Sequence, residues 1–165
     1  MSAEMAEQPE VLARLLARRD DTLAAIRGVV PPELRGVVLV ARGSSDNAAL
    51  HARYLMELTS GRPVALAAPS LWTRYGAATS LRGWLAVAVS QSGRTPEIIE
   101  TVDRMRLAGA RVVAVTNAEG SDLESVADVT VPLGAGEERA VPATKTVTSS
   151  ILALAHIAFG LGAEP

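Results

Sequence analysis

The stretch Trp84–Thr116, WLAVAVSQSGRTPEIIETVDRMRLAGARVVAVT, decides the fold. Trp84–Val89 is a continuous apolar run and Arg111–Thr116 has an apolar, valine-rich interior, the pattern of strands buried on both faces, as in a parallel sheet. Between them Ser90–Thr95 breaks the strand, residues 96–108 carry helical spacing, and Gly109 ends the helix. This is one strand–helix–strand crossover. The same grammar precedes it: Val37–Ala41 (VVLVA) is a strand, Arg42-Gly43-Ser44-Ser45 breaks it, and a helix over 46–59 closes at Gly61. Val64–Ala67 reads as a short strand and Pro69-Ser70 opens a short helix ending near Gly76. Beyond Thr116, Ser121–Val126 reads as a short helix, Asp128–Pro132 as the last strand and Ala143–Gly160 as a closing helix. A leading helix over about 10–27 places Val11, Leu12, Leu15, Leu16, Leu23 and Ile26 at helical spacing, and Pro31-Pro32 ends that segment. Five strands alternating with helices predict an α/β, three-layer sandwich with a five-stranded parallel sheet of order 2-1-3-4-5, flavodoxin-like in arrangement. With no repeat, low-complexity tract or composition shift, residues 1–165 read as a single domain with its α/β core over 37–160.

Composition narrows the chemistry. The 165 residues are 48% apolar and 21% charged, with a formal charge of −2 from 16 basic and 18 acidic residues. That balance lacks the basic footprint of a nucleic-acid binder, and one Phe, two Trp and two Tyr supply few faces for stacking bases. The absence of cysteine excludes disulfides, thiolate metal sites and a cysteine nucleophile. The acidic N-terminus MSAEMAEQPE has no secretory pattern, and the 13-residue run Ile151–Ala163 is well short of the ~20 residues that span a bilayer. A cytoplasmic location and no membrane association are expected.

Two loops stand out. Gly43-Ser44-Ser45 and Ser90-Gln91-Ser92-Gly93-Arg94-Thr95 follow the first and third strands, and each runs into a helix start. Hydroxyls beside the unpaired N–H groups of a first helical turn form an anion pocket, and glycine lets the backbone approach the ligand. In a sheet of order 2-1-3-4-5 these loops flank the crevice where ligands settle. Ser and Thr are also ordinary helix caps, but one cap needs one oxygen, and the second loop offers four polar side chains. No G-x-x-x-x-G-K-[ST] or G-x-G-x-x-G is present, so a lone phosphate group is favoured over a nucleotide, and G-x-S-x-G is missing because Ser90 stands at its first glycine. His51 and His156 fall inside helices without partner motifs. No metal and no cofactor are expected. A third segment, Glu138–Lys145 (ERAVPATK), leads from the polar loop Leu133–Val141 into the closing helix. It holds the only lysine, Lys145, at a helix start, where the dipole disfavours a cation.

Together ARGSSDN (Ala41–Asn47), SQSGRTPE (Ser90–Glu97) and ERAVPATK resemble the sugar isomerase (SIS) domain. The likeness is to the first SIS half of the isomerase region of glucosamine-6-phosphate synthase and of related two-SIS deaminase/isomerase proteins. It begins at Glu7-Gln8-Pro9 and covers nearly the whole chain. The resemblance implies binding of a phosphorylated hexose of the fructose-6-phosphate or glucosamine-6-phosphate class. Ser90, Gln91, Ser92 and Thr95 would hold the phosphate with Ser44 and Ser45 beside them. Val141 and Ala143 would line the sugar site, with Thr144 and Lys145 closing the motif. Arg94 stands where the synthase usually has an acid, and Pro142-Ala143 replaces a small-residue/Ser pair, which bears on sugar selectivity. The family's proton-transfer glutamate is carried by the second SIS half, which is not expected in this chain. The catalytic residues are therefore left unassigned, and Glu97, Glu137 and Glu138 are the only acids in the candidate loops. Glutaminase activity is not expected. A second SIS domain or a second copy would complete the site. The alternative is a non-catalytic phosphosugar sensor, and a flavodoxin-like binder of another anion ranks third. A homodimer over Leu12, Leu16, Ile151 and Leu154 is expected, and Leu161–Pro165 resembles the start of an inter-domain linker.

Overall fold

The β-branched runs form β1 (Gly36–Val40), β2 (Val64–Leu66), β3 (Trp84–Val89), β4 (Arg111–Thr116) and β5 (Val129–Pro132) in a computed structural model that describes residues 1–162. Every pairing is parallel and the order is β2-β1-β3-β4-β5. The expected three-layer α/β architecture is therefore the observed one. Ala163–Pro165, part of the expected linker, lie outside the described residues.

Strand alternation divides the core between the two faces. Val37, Leu39, Leu85, Val87, Val89, Val113, Val115 and Val131 face one way. They pack against α2 (Gln8–Ala17), α3 (Arg19–Val29), α4 (Ser44–Ser60) and α8 (Lys145–Gly160). Val38, Val40, Ala86, Ala88, Val112 and Ala114 face α5 (Pro69–Thr73), α6 (Pro96–Leu107) and α7 (Asp122–Ser125) on the other side. The central strands β1, β3 and β4 are almost wholly buried, whereas the edge strands β2 and β5 are three and four residues long.

Of the boundaries that differ from expectation, three have clear local reasons. The leading helix is two helices, broken at Arg18 (φ −98°, ψ 9°), where the polar run Arg18–Thr22 interrupts the apolar stripe and acids begin a new first turn at Asp20 and Asp21. A short α1 (Ser2–Ala6) precedes them. Helix α4 starts at Ser44 rather than 46, because Gly43 at φ 62° turns the chain out of β1 and its carbonyl accepts the Asp46 N–H at 3.0 Å. Helix α8 starts at Lys145 rather than 143, since the Thr144 N–H is taken by the Glu138 carboxylate at 2.8 Å.

Leu154 corrects the expected basis of a dimer: it is fully buried against the sheet, and Ile151 packs on the same core. Leu16 of α2 is exposed as expected, and a second exposed apolar stripe lies on α4, at Leu50, Tyr54 and Leu58, spaced four residues apart.

His156 of α8 is buried, and neither ring nitrogen has a hydrogen-bond partner among the described residues. Burial, with the nearby Arg19 charge, pushes its pKa below the ordinary 6.5. The folded chain thus holds a neutral imidazole where the unfolded chain binds a proton, so stability is lost as pH falls from 6.5 towards the lower folded value. His156→Leu is expected to raise stability by ~1–2 kcal/mol at pH 7, by removing unsatisfied buried polar atoms. It should also flatten the loss between neutral and mildly acidic pH, read by urea denaturation at several pH values. A less stable variant with an unchanged pH slope would contradict this.

Candidate functional site

The ends of β1 and β3 open into a cleft of about 290 Å³ between α4, α6 and α8. Its floor is Val89 and Ser90, its walls are the α4 start (Ser44, Ser45) and the Gln91–Thr95 turn, and its far side is Ala140–Ala143 with Thr146, Val147 and Ser150 of α8. Among the described residues Arg42 is the only charged one along the lining, and no carboxylate takes part.

The Ser90–Thr95 turn is built rigidly from main-chain bonds. Ser90 N–H donates to the Val115 carbonyl at 3.0 Å and Asn117 N–H to the Gln91 carbonyl at 3.1 Å, joining the turn to β4 and its end. Gly93 N–H closes back on the Ser90 carbonyl at 3.1 Å, and its own carbonyl accepts Leu123 N–H of α7 at 3.0 Å. Gly93 adopts φ 59° and sits hard against Ser121 and Thr116, a place only glycine can take.

The hydroxyls above this scaffold have few structural duties. Thr95 and Gly43 immediately precede α6 and α4, yet among the described residues neither helix start has a side-chain cap. Ser90 Oγ and Thr95 Oγ1 face one another at 3.4 Å, and Ser92 Oγ only accepts the Arg94 N–H, at 3.3 Å. The capping role that weighed against a site is thus not taken by these side chains.

The three acids of the candidate loops are all engaged. Glu97 holds Arg42 with two bonds of 2.9 Å, which points the guanidinium across the α6 start. Glu137 pairs with Arg139 at 2.8 Å. Glu138 accepts Thr144 N–H and Oγ1–H at 2.8 and 2.7 Å and also the Thr146 hydroxyl. Burial raises the Glu138 pKa, but the bonds from Thr146 and Thr144 outweigh it and the net shift is downward, so the carboxylate caps α8 as an anion.

Of the expected residues, Ser44, Ser45, Ser90, Gln91, Ser92, Thr95, Val141 and Ala143 come together around the cleft. Thr144 and Lys145 do not line it: Thr144 turns to Glu138, and the buried Lys145 ammonium lies 2.6 Å from Glu7. Arg42, Thr146, Val147 and Ser150 were missed. Small polar residues at 146 and 150, one turn apart within the polar first turns KTVTSS of α8, were the available signal for two of them.

The SIS domain family profile matches residues 34–159, a span that contains all three motifs. The chain belongs to the SIS domain family. This SIS domain is 38% identical over 173 residues to glutamine–fructose-6-phosphate aminotransferase (isomerizing) of Symbiobacterium thermophilum, covering 99% of this chain and 28% of that protein. It is 34% identical to the Arabidopsis thaliana protein of the same name, numbered 1, over 99% of this chain and 26% of the relative. The chain thus spans about a quarter of the length of these curated relatives. Among solved structures, a proposed phosphosugar isomerase from Silicibacter pomeroyi superposes with a TM-score of 0.90 at 36% identity, over 96% of this SIS domain and 49% of that chain. The Vibrio vulnificus NanR protein complexed with ManNAc-6P shares the fold, with a TM-score of 0.67 at 20% identity over 93% of this chain and 59% of that one.

Proposed function

We propose that this SIS domain binds a hexose 6-phosphate and contributes the phosphate-holding half of an amino-sugar phosphate isomerase or deaminase site. The observation that carries this is the cleft's lining: hydroxyls, a glutamine amide and one arginine converge on it with no carboxylate. The phosphate takes Ser90, Gln91, Ser92 and Thr95, with Ser44 and Ser45 across the cleft. The sugar extends towards Val141, Ala143 and Thr146. Relatives named for fructose-6-phosphate chemistry and a fold neighbour complexed with ManNAc-6P support a six-carbon sugar phosphate, and a cytoplasmic location is part of the same proposal.

Aldose/ketose interconversion needs a base within hydrogen-bond reach of a carbon-bound proton. Glu97, Glu137 and Glu138 are already committed to partners, so this chain binds and orients while a second SIS domain or second copy supplies proton transfer. Binding without turnover, as in a sensor, is favoured by the same observation if no second half is present. The α4 stripe of Leu50, Tyr54 and Leu58 is the surface we assign to that partner. A dimer is expected by light scattering at micromolar concentration, and a monomer would remove the second-copy reading.

Fructose-6-phosphate or glucosamine-6-phosphate at 100 times its Kd is expected to stabilise the fold by ~2.7 kcal/mol. At ~2–4 °C per kcal/mol this is a rise in Tm of roughly 5–11 °C. The unphosphorylated sugars should give no shift. A flat response to every hexose phosphate tried would overturn the assignment.

A further inference from the structure

The far wall of the cleft is a loop without regular structure, and its fastening is uneven. At its base Leu133 N–H bonds the Thr116 carbonyl at 2.9 Å, and the Asn117 side chain clamps Ala135 N–H and the Gly136 carbonyl at 2.8 and 2.7 Å. Beyond Gly136 these ties stop, and the part that carries Ala140–Ala143 into the cleft is held differently. Arg139 N–H and Ala140 N–H both donate to one carboxylate oxygen of Glu4, at 2.6 and 3.2 Å. At the other end of the loop, the Lys145 ammonium, 3% exposed, meets Glu7 at 2.6 Å. Within α8 the Thr146 hydroxyl reaches Glu138, and the Thr148 and Ser149 hydroxyls donate to the Lys145 carbonyl; from outside the loop and α8, Glu4 and Glu7 supply the only side-chain hydrogen bonds to 137–145 among the described residues.

Both acids belong to the N-terminal segment, more than 130 residues away in sequence, and neither lines the cleft. The bond from the Arg139 N–H is the largest of the influences holding the Glu4 carboxyl down at about 2, so it is an anion at any physiological pH. Two backbone amides on one anionic oxygen are charge-assisted bonds, and a buried ammonium left without its carboxylate is strongly disfavoured. The anchors therefore fix the loop's path.

We propose that Glu4 and Glu7 are positioning residues for sugar recognition: the N-terminal segment straps the sugar-facing loop in place while leaving the phosphate turn to stand by itself. This rests on the hexose phosphate reading above. The two loops share Asn117 at their bases, but Ser90–Thr95 is otherwise pinned by β4 and α7 and makes no hydrogen bond to 137–145 among the described residues.

Calorimetry on Glu4→Ala and on the paired variant Glu7→Gln/Lys145→Met, which leaves no orphan charge, tests the strap. Expected is a tenfold or greater loss of affinity for fructose-6-phosphate or glucosamine-6-phosphate with affinity for inorganic phosphate within twofold of the parent. Unchanged hexose phosphate affinity would overturn it, and so would an equal loss for both ligands, which marks general loosening. Hydrogen exchange over 137–144 supplies an arm that needs no sugar: faster exchange confined to that segment supports the strap and unchanged exchange refutes it. If the parent binds no hexose phosphate, the proposed function fails while this second arm still decides the strap.

Discussion

Gly93→Ala is expected to abolish hexose phosphate binding and to cost ~2–5 kcal/mol of stability, the sum of left-handed strain for a non-glycine residue and overpacking of a tight contact. At φ 59° a Cβ on residue 93 would lie 2.2 Å from Ser121 Oγ, 2.4 Å from Ser121 Cβ and 2.9 Å from Thr116 Oγ1. Ser121 cannot retreat cheaply, because it is buried at the start of α7, and Thr116 ends the central strand β4. Relief must come from the turn itself, by breaking the Leu123 N–H bond to the Gly93 carbonyl and lifting Ser92 out of the cleft. Denaturant midpoints and calorimetry together read the outcome. A variant within 1 kcal/mol of the parent that still binds the sugar phosphate would show the turn to be pliable and the cradle assignment mistaken.

The second large effect separates binding from folding. Ser92→Ala/Thr95→Val removes two hydroxyls whose partners inside the protein are a 3.3 Å bond from Arg94 N–H and a 3.4 Å approach to Ser90 Oγ. Both are weak by geometry, so stability should move by no more than ~0.5 kcal/mol. Hydrogen bonds to a charged phosphate contribute ~1.5–3 kcal/mol each, so two lost bonds correspond to roughly 10²–10⁴-fold in Kd. Affinity retained within a few fold, with the fold intact, would demote these side chains to loop decoration.

The sheet was legible because each inner strand holds an unbroken run of apolar residues, rich in valine, and the order 2-1-3-4-5 follows from handed crossovers once the strands are located. The turn proposed to hold phosphate stood out for a related reason: Ser90–Thr95 concentrates more hydroxyls than a helix start consumes. Lys145 was the misleading signal. A lone lysine at a helix start suggested a ligand, but its ammonium is satisfied by Glu7, a partner so distant in sequence that no local pattern links them. Arg42 escaped notice because its place on the cleft depends on Glu97 reaching back from α6. Leu154 looked like interface because an apolar helix face does not declare whether sheet or partner covers it.

The shortness of the outer strands has a bearing on how this chain survives in a crowded solution. An all-parallel sheet with an apolar interior leaves two rows of unpaired main-chain groups at its margins, and such rows template aggregation when they are long and flat. Here one margin is only Val64–Leu66 and the other is Val129–Pro132, whose final residue has no N–H to offer. Neither is long enough to recruit a foreign strand in register, so the same truncation that narrows the sheet guards it against edge-to-edge polymerisation.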